Sequence, residues 1–124
     1  MAGIREKKTQ YTYCRNAFMT TKVKTLETSA TFEISMDCSA LSGVKTVWVY
    51  PITGTTIYSV VGTADPYLTQ DEFEALPLNE LEEIVSEVSI TTKAKTEVVS
   101  RYSWIGVIAR GTGSETAKID VAGY

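Results

Sequence analysis

The stretch SATFEISMDC, residues 29–38, places an apolar side chain at every second position from Ala30 to Cys38. The positions between them are hydroxylic or acidic, from Thr31 to Asp37. Successive side chains of a β-strand point to opposite faces of a sheet, so a period of two predicts a strand with one buried and one solvated face. This stretch therefore favours a β-rich fold.

Two further strands are predicted directly downstream. Val44–Tyr50 is apolar on both faces, as in a strand that is covered on two sides, and Thr55–Gly62 is again rich in β-branched residues. Between them, Pro51 presets φ for a turn and Gly54 accepts a positive φ. The pattern predicts a β-hairpin with a four-residue connection.

The C-terminal third is rich in β-branched residues from Ile90 to Thr96 and from Val98 to Ile108. The glycines of Gly111–Gly113 predict a turn into a last strand, Thr116–Val121. We therefore expect a second, long hairpin at this end of the chain.

A short helical insert is predicted at about residues 70–88. Thr69-Gln70-Asp71-Glu72 matches the capping box, and Pro77 should end the helix that follows it. Asn79 can cap a second helix, in which Leu81, Ile84, Val85 and Val88 fall at helical spacing. The predicted fold class is thus α+β but mostly β, an antiparallel sheet or sandwich built from two hairpin-rich halves around this insert.

The length of 124 residues and the apolar content of 44% fit one globular domain, because such a chain buries roughly two thirds of its unfolded surface. Residues 1–8 have no apolar period and hold four charges. We predict a mobile basic N-terminal arm over residues 1–8 and a single β-rich domain over residues 9–124.

Charge is distributed unevenly although the net charge is only −3. Bases cluster near the N-terminus, and acids occupy residues 64–87, where no base occurs. The residues that we expect at an interface are Arg5, Lys7, Lys8 and Arg15 in the basic group, and Asp71, Glu72, Glu80, Glu83 and Glu87 in the acidic group.

Enzymatic chemistry has little basis in this sequence. The chain has no histidine, so Ser/His and Cys/His nucleophile pairs and His-bearing zinc sites are excluded. No glycine-rich phosphate loop occurs, and acids at predicted helix starts complement the helix dipole rather than form a calcium loop. Cys14 and Cys38 are too few for a disulfide framework. We predict a protein that is not an enzyme and needs no cofactor or metal.

Membrane and secretory segments are not expected. No stretch reaches the 18 consecutive apolar residues of a spanning helix, and residues 1–10 lack the apolar core of a signal peptide. We expect synthesis in the cytoplasm and no membrane partner.

The leading functional hypothesis is a structural or assembly subunit that forms homo-oligomers. The basic arm of one copy would contact the acidic segment of the next, and other structural proteins of the assembly are further partners. Two β-rich halves around a helical insert resemble, in layout, small phage tail-tube and head-completion proteins. That resemblance implies a virion subunit as one form of the hypothesis.

Two alternatives use the same charges differently. A monomeric inhibitor or binding module would present the acidic segment to a basic partner. A nucleic-acid-binding protein would use the basic arm together with Tyr11 and Tyr13, which could stack on bases. The low net charge ranks nucleic acid below the other partners.

Overall fold

The computed structural model describes residues 18–26, 31–99 and 101–123. Within these ranges the chain forms eight strands, one α-helix and a 3-10 turn. The helix α1 is Gln70–Ala75 and the 3-10 turn is Leu78–Glu80. The strands are β1 Phe18–Thr25, β2 Phe32–Asp37, β3 Lys45–Thr53, β4 Thr56–Thr63, β5 Glu82–Ile90, β6 Ala94–Val98, β7 Trp104–Gly111 and β8 Thr116–Gly123.

These described strands form two antiparallel four-stranded sheets. The first sheet has the order β1-β8-β3-β6, and the second has the order β2-β7-β4-β5. Consecutive strands alternate between the two sheets except for β4 and β5, which pair with each other. Eight strands arranged in this way form a double-sheet jelly roll. The predicted class, α+β and mostly β with antiparallel sheets, is confirmed.

The main core lies between the two sheets. Val49, Val60, Val107 and Ile119 are fully buried and belong to one apolar cluster to which both sheets contribute. A second cluster lies on the far side of the second sheet, where Phe73 of α1 packs on β4 and β7. The fold therefore has three layers at this point, and the helix covers part of one sheet.

The strand predicted from residues 29–38 is confirmed over Phe32–Asp37. Ile34 and Met36 are buried, and Cys38 is buried just beyond the strand. Glu33 and Ser35 are half-buried on the opposite side of β2. The period of two therefore correctly identified which side of this strand faces the core.

The two predicted hairpins are wrong in their pairing. β3 lies in the first sheet and β4 in the second, and β7 and β8 are divided in the same way. Gly54, with φ of 66°, supports the turn between β3 and β4, but the turn crosses from one sheet to the other. The apolar faces of the joined strands meet across the core instead of lying side by side. Turn residues indicate that the chain reverses direction. They do not show whether the two joined strands pair within one sheet or lie in opposite sheets.

The first predicted helix is confirmed as α1. Thr69 Oγ1 accepts a hydrogen bond from the backbone N–H of Glu72 at 3.2 Å, and Glu72 Oε1 accepts one from the N–H of Thr69 at 2.9 Å. This is the predicted capping box. The inward side chain is Phe73, which is fully buried.

The second predicted helix is wrong, because residues 82–90 form strand β5. Between the pairs Tyr58/Val88 and Val60/Val85, β5 contains one residue more than β4. The same difference recurs between the pairs Val60/Val85 and Val61/Glu83. These two bulges break the period of two. Because of these bulges, the adjacent Ile84 and Val85 both pack against the main core. Apolar residues at adjacent positions are also typical of an amphipathic helix, and for this reason the sequence resembled one.

Candidate functional site

The acidic residues of the predicted interface lie on three successive elements. Asp71 and Glu72 are in the first turn of α1, and Glu80 ends the 3-10 turn. Glu83 and Glu87 lie on β5, not on a helix as predicted. All five are exposed. The basic residues predicted to face them, Arg5, Lys7, Lys8 and Arg15, lie outside the described residues.

Several of these carboxylates already have partners within the chain. Glu72 caps α1, as described above. Glu87 accepts hydrogen bonds from Arg110 Nε at 3.3 Å and Nη2 at 3.2 Å. The hydroxyl of Tyr102 donates to Glu82 at 2.5 Å, and that of Ser86 donates to Glu83 at 3.1 Å. Internal contacts thus hold β5 in place while its glutamates remain at the surface.

β5 is an edge strand of the second sheet, since its ladder partner among the described strands is β4. It is nine residues long and mostly exposed, with Val88 38% accessible. An edge strand carries a row of backbone groups with which a further strand can pair, and bulges and charges oppose unselective edge-to-edge pairing. We call residues 80–90, with Glu80, Glu82, Glu83 and Glu87, the acidic edge.

A polar cleft of about 270 Å³ lies at the opposite edge of the same sheet, beside β2 and α1. Ser35 Oγ is 3.0 Å from Glu33 Oε2 and 2.6 Å from Glu74 Oε2. Lys22 Nζ donates to the backbone oxygen of Glu33 at 2.7 Å, so it links β1 to β2 across the two sheets. Residues of α1, β1 and β2 therefore meet at this cleft.

The two carboxyl groups of the cleft have pKa values shifted in opposite directions. Burial raises the pKa of Glu33 above its ordinary value, despite its contact with Ser35. Hydrogen bonds from Ser35 and Gln70 lower the pKa of Glu74. Ser35 has a single hydroxyl proton, so it donates to only one of the two carboxylates at a time. Sequence analysis missed this arrangement, because residues 33 and 74 meet through tertiary packing alone.

Cys38 is a buried thiol rather than a reactive one. Burial raises its pKa to about 11, although the nearby Lys45 acts in the opposite direction. Since the thiolate is the nucleophile and the metal ligand, a raised pKa opposes both roles at neutral pH. Cys38 belongs to the main core, so it acts as a packing residue.

Residues 18–26, 31–99 and 101–123 contain no group of three or more Cys, Asp or Glu side chains arranged to hold a metal ion. In the same ranges no helix has the length and apolar character needed to cross a membrane.

The similarity between this chain and known proteins is a similarity of fold alone. No protein-family model matches the chain, and no curated protein matches its sequence. Among solved structures, the Yersinia pseudotuberculosis-derived mitogen is similar, with a TM-score of 0.54 and 12% identity over 86% of each chain. A protein of Bacillus endospore appendages, described as disulfide-linked pili, has a TM-score of 0.49 and 13% identity over 86% of this chain and 82% of that one. The likeness to the mitogen shows a shared β-rich fold alone.

Proposed function

We propose that this chain is a non-enzymatic, self-associating structural subunit, in which the basic N-terminal segment of one copy binds the acidic edge of the next. The observation that carries the proposal is the exposed edge strand β5, nine residues long and bearing three glutamates. Binding by an added strand uses main-chain hydrogen bonds for affinity and side chains for specificity. We confine the proposal to self-association, because no comparison supports membership of a virion.

Charge and length both support this pairing. In an extended chain, residues two apart lie on the same side, so Arg5, Lys7, Tyr11, Tyr13 and Arg15 would share one side of the segment. Residues 5–15, when extended, span roughly 36 Å, and a nine-residue strand spans about 30 Å. The basic segment is thus long enough to follow the whole of β5.

Such a contact is heterologous, since each copy contributes a different surface to it. Heterologous contacts repeat from copy to copy and produce either closed rings or open filaments. Glu80 and Glu83 are exposed, so the basic segment of another copy can reach their carboxylates. The basic segment would approach them along the open side of β5.

A charge-swap experiment tests the proposal. One variant carries Lys7→Glu and Lys8→Glu, and the other carries Glu80→Lys and Glu83→Lys. We expect the natural chain to form oligomers that weaken with salt, each variant alone to remain a monomer, and an equimolar mixture to associate again. Light scattering after size exclusion measures all four samples.

The matched control is Glu97→Lys, which reverses an exposed charge on β6 in the other sheet. It should leave oligomer formation unchanged. Monomers of 13.6 kDa at every salt concentration for the natural chain would overturn the proposal. In that case the acidic edge would be tested next as a binding surface for a basic partner.

A further inference from the structure

Two aromatic rings lie on the outer face of the first sheet, on its interior strand β3. Trp48 and Tyr50 alternate with the buried Val47 and Val49, so both rings point away from the core. Their centroids are 6.1 Å apart and their planes differ by 15°. The helix α1 packs on the other sheet, against β2. The two rings therefore form a continuous aromatic surface on a sheet that α1 does not cover.

Three lysines from the neighbouring strands and loop surround these rings. Lys95 lies opposite Trp48 in the β3–β6 pair, with Nζ 5.3 Å from the ring centroid. Lys118 lies opposite Tyr50 in the β3–β8 pair, at 5.6 Å. Lys93 reaches both rings, at 5.2 Å from Trp48 and 5.9 Å from Tyr50. We call these five residues the aromatic–lysine face.

Asp120 adds a buried acceptor beside the face. It lies opposite Trp48 in the β3–β8 pair and is only 7% exposed. Its Oδ2 is 3.7 Å from Lys118 Nζ, whereas its Oδ1 has no hydrogen-bond partner. Buried carboxylate oxygens are normally paired, so Asp120 Oδ1 can accept a hydrogen bond from a ligand that lies beside Trp48.

We propose that the aromatic–lysine face binds single-stranded nucleic acid. Successive bases stack on Trp48 and Tyr50, and the three lysines move from the rings to the phosphates. Proteins that hold single strands combine aromatic stacking with cations along the backbone, and a four-stranded sheet with aromatics on its open face is one established way to build such a surface.

The number of lysines favours nucleic acid over a neutral glycan. A glycan could stack on the rings and donate a hydroxyl to Asp120. The three ammonium groups, however, outnumber the two carboxylates of the described residues that lie within 4 Å of them, Glu97 at 3.6 Å from Lys95 and Asp120 at 3.7 Å from Lys118. A nucleic acid supplies both the planar groups and the anions. The face lies on the first sheet and the acidic edge on the second, so this inference does not depend on the proposed self-association.

Asp120 gives the face an expected base preference. Carboxylates accept hydrogen bonds from the amino group of cytosine, and thymine has no such donor. A base stacked on Trp48 lies next to Asp120 in the sheet register. We therefore expect oligo-dC to bind more tightly than oligo-dT, and the Asp120→Ala variant to lose the difference.

Binding is measured by the fluorescence anisotropy of labelled oligo-dC and oligo-dT at two salt concentrations. The full chain carries Arg5→Gln, Lys7→Gln and Lys8→Gln in every sample, so that binding through the N-terminal segment is suppressed. Trp48→Ala should weaken binding roughly 5- to 100-fold, the range expected for the loss of one stacked base. Trp48→Phe, which retains a ring, should recover most of the affinity.

Lys93→Gln with Lys95→Gln should reduce the slope of log K against log salt by about 1.4, the value for two phosphate contacts on a single strand. The matched controls are Tyr67→Ala, an aromatic residue that is 89% exposed away from the face, and Arg101→Gln, an exposed cation. Neither control should change affinity or slope. Circular dichroism verifies that each variant is folded.

Intrinsic fluorescence gives an independent measurement. The chain has two tryptophans, and Trp104 is only 7% exposed with its ring stacked on Phe73. Quenching by an oligonucleotide should therefore be lost with Trp48→Phe. Absence of binding at low salt, binding that Trp48→Ala leaves intact, or selective binding of a neutral oligosaccharide in place of the oligonucleotides would each overturn the inference.

Discussion

β7 and β5 both pair with β4 in the second sheet, yet they differ in almost every other respect. β7 is an interior strand, with β2 on its other side, and it is buried on both faces along most of its length. Ile105 and Val107 face the main core, and Trp104 faces α1. β5 is an exposed edge strand with two bulges.

The difference separates two roles within one sheet. β7 stabilises the fold, because burial of apolar surface on both sides supplies much of the free energy of folding. β5 contributes Ile84 and Val85 to the rim of the core but leaves its glutamates and one row of backbone groups accessible. Substitutions should therefore be costly for stability in β7 and much less costly in β5.

Two matched isoleucines give the largest expected effect. Ile105→Ala in β7 removes a fully buried side chain and should lower the free energy of unfolding by roughly 2–5 kcal/mol. Ile84→Ala in β5 removes a partly buried side chain, and we expect a loss of about 1 kcal/mol. Urea unfolding monitored by circular dichroism measures both. Equal losses at the two positions would contradict the distinction between the strands.

Gly106 tests how closely β7 is covered on its outer face. A Cβ at this position would lie 2.7 Å from Glu33 Oε2 and 3.1 Å from Phe73 Cε2, so Gly106→Ala overpacks the space beneath α1. We expect a loss of roughly 1–3 kcal/mol in the same unfolding assay. The matched control is Gly113→Ala, where the nearest atom is 3.4 Å from the added Cβ, and it should change stability little. A neutral Gly106→Ala would show that α1 packs more loosely than described.

The cleft beside β2 predicts two opposite dependences on pH. The pKa of Glu33 is raised by burial, so the folded state loses stability as rising pH ionises this carboxyl. Glu33→Gln should therefore gain stability relative to the natural chain as the pH rises above the ordinary carboxyl range. The pKa of Glu74 is lowered, so its contribution is present at neutral pH and is lost as the pH falls.

Glu74→Gln should consequently lose stability relative to the natural chain at neutral pH and approach it in acid. Unfolding midpoints in urea across the acid and neutral range compare the two variants. Parallel pH profiles for Glu33→Gln and Glu74→Gln would show that burial of Glu33 and the hydrogen bonds to Glu74 do not shift the two pKa values in opposite directions.

The same contrast explains what the sequence could predict. β2 was predicted as a strand because its apolar positions follow a period of two, and the region of β7 because β-branched residues are frequent from Val98 to Ile108. α1 was predicted because the capping box is a local interaction between Thr69 and Glu72. β5 was assigned to a helix because a bulge depends on the partner strand, and the spacing of Ile84, Val85 and Val88 alone does not reveal one.

Surfaces were harder to predict than elements. The acidic residues were expected at an interface, and they are exposed, but the location of Glu83 and Glu87 on a strand was not predicted. Lys93 and Lys95 are two positions apart in the sequence, but their position over Trp48 follows from the sheet order, in which β6 and β8 flank β3. That order pairs Trp48 with Lys95, 47 positions away, and Tyr50 with Lys118, 68 positions away, and no local pattern encodes it.

The smallest expected effect concerns the ion pair that joins β5 to β7. Glu87 Oε1 and Arg110 Nη2 are 3.2 Å apart, and their side chains are 58% and 34% exposed. Solvent screens such a pair, so a double-mutant cycle with Glu87→Gln and Arg110→Gln should give a coupling below about 1 kcal/mol that decreases with salt. A larger, salt-independent coupling would mean that this contact fixes the edge strand to the sheet, and β5 would then share the stabilising role of β7.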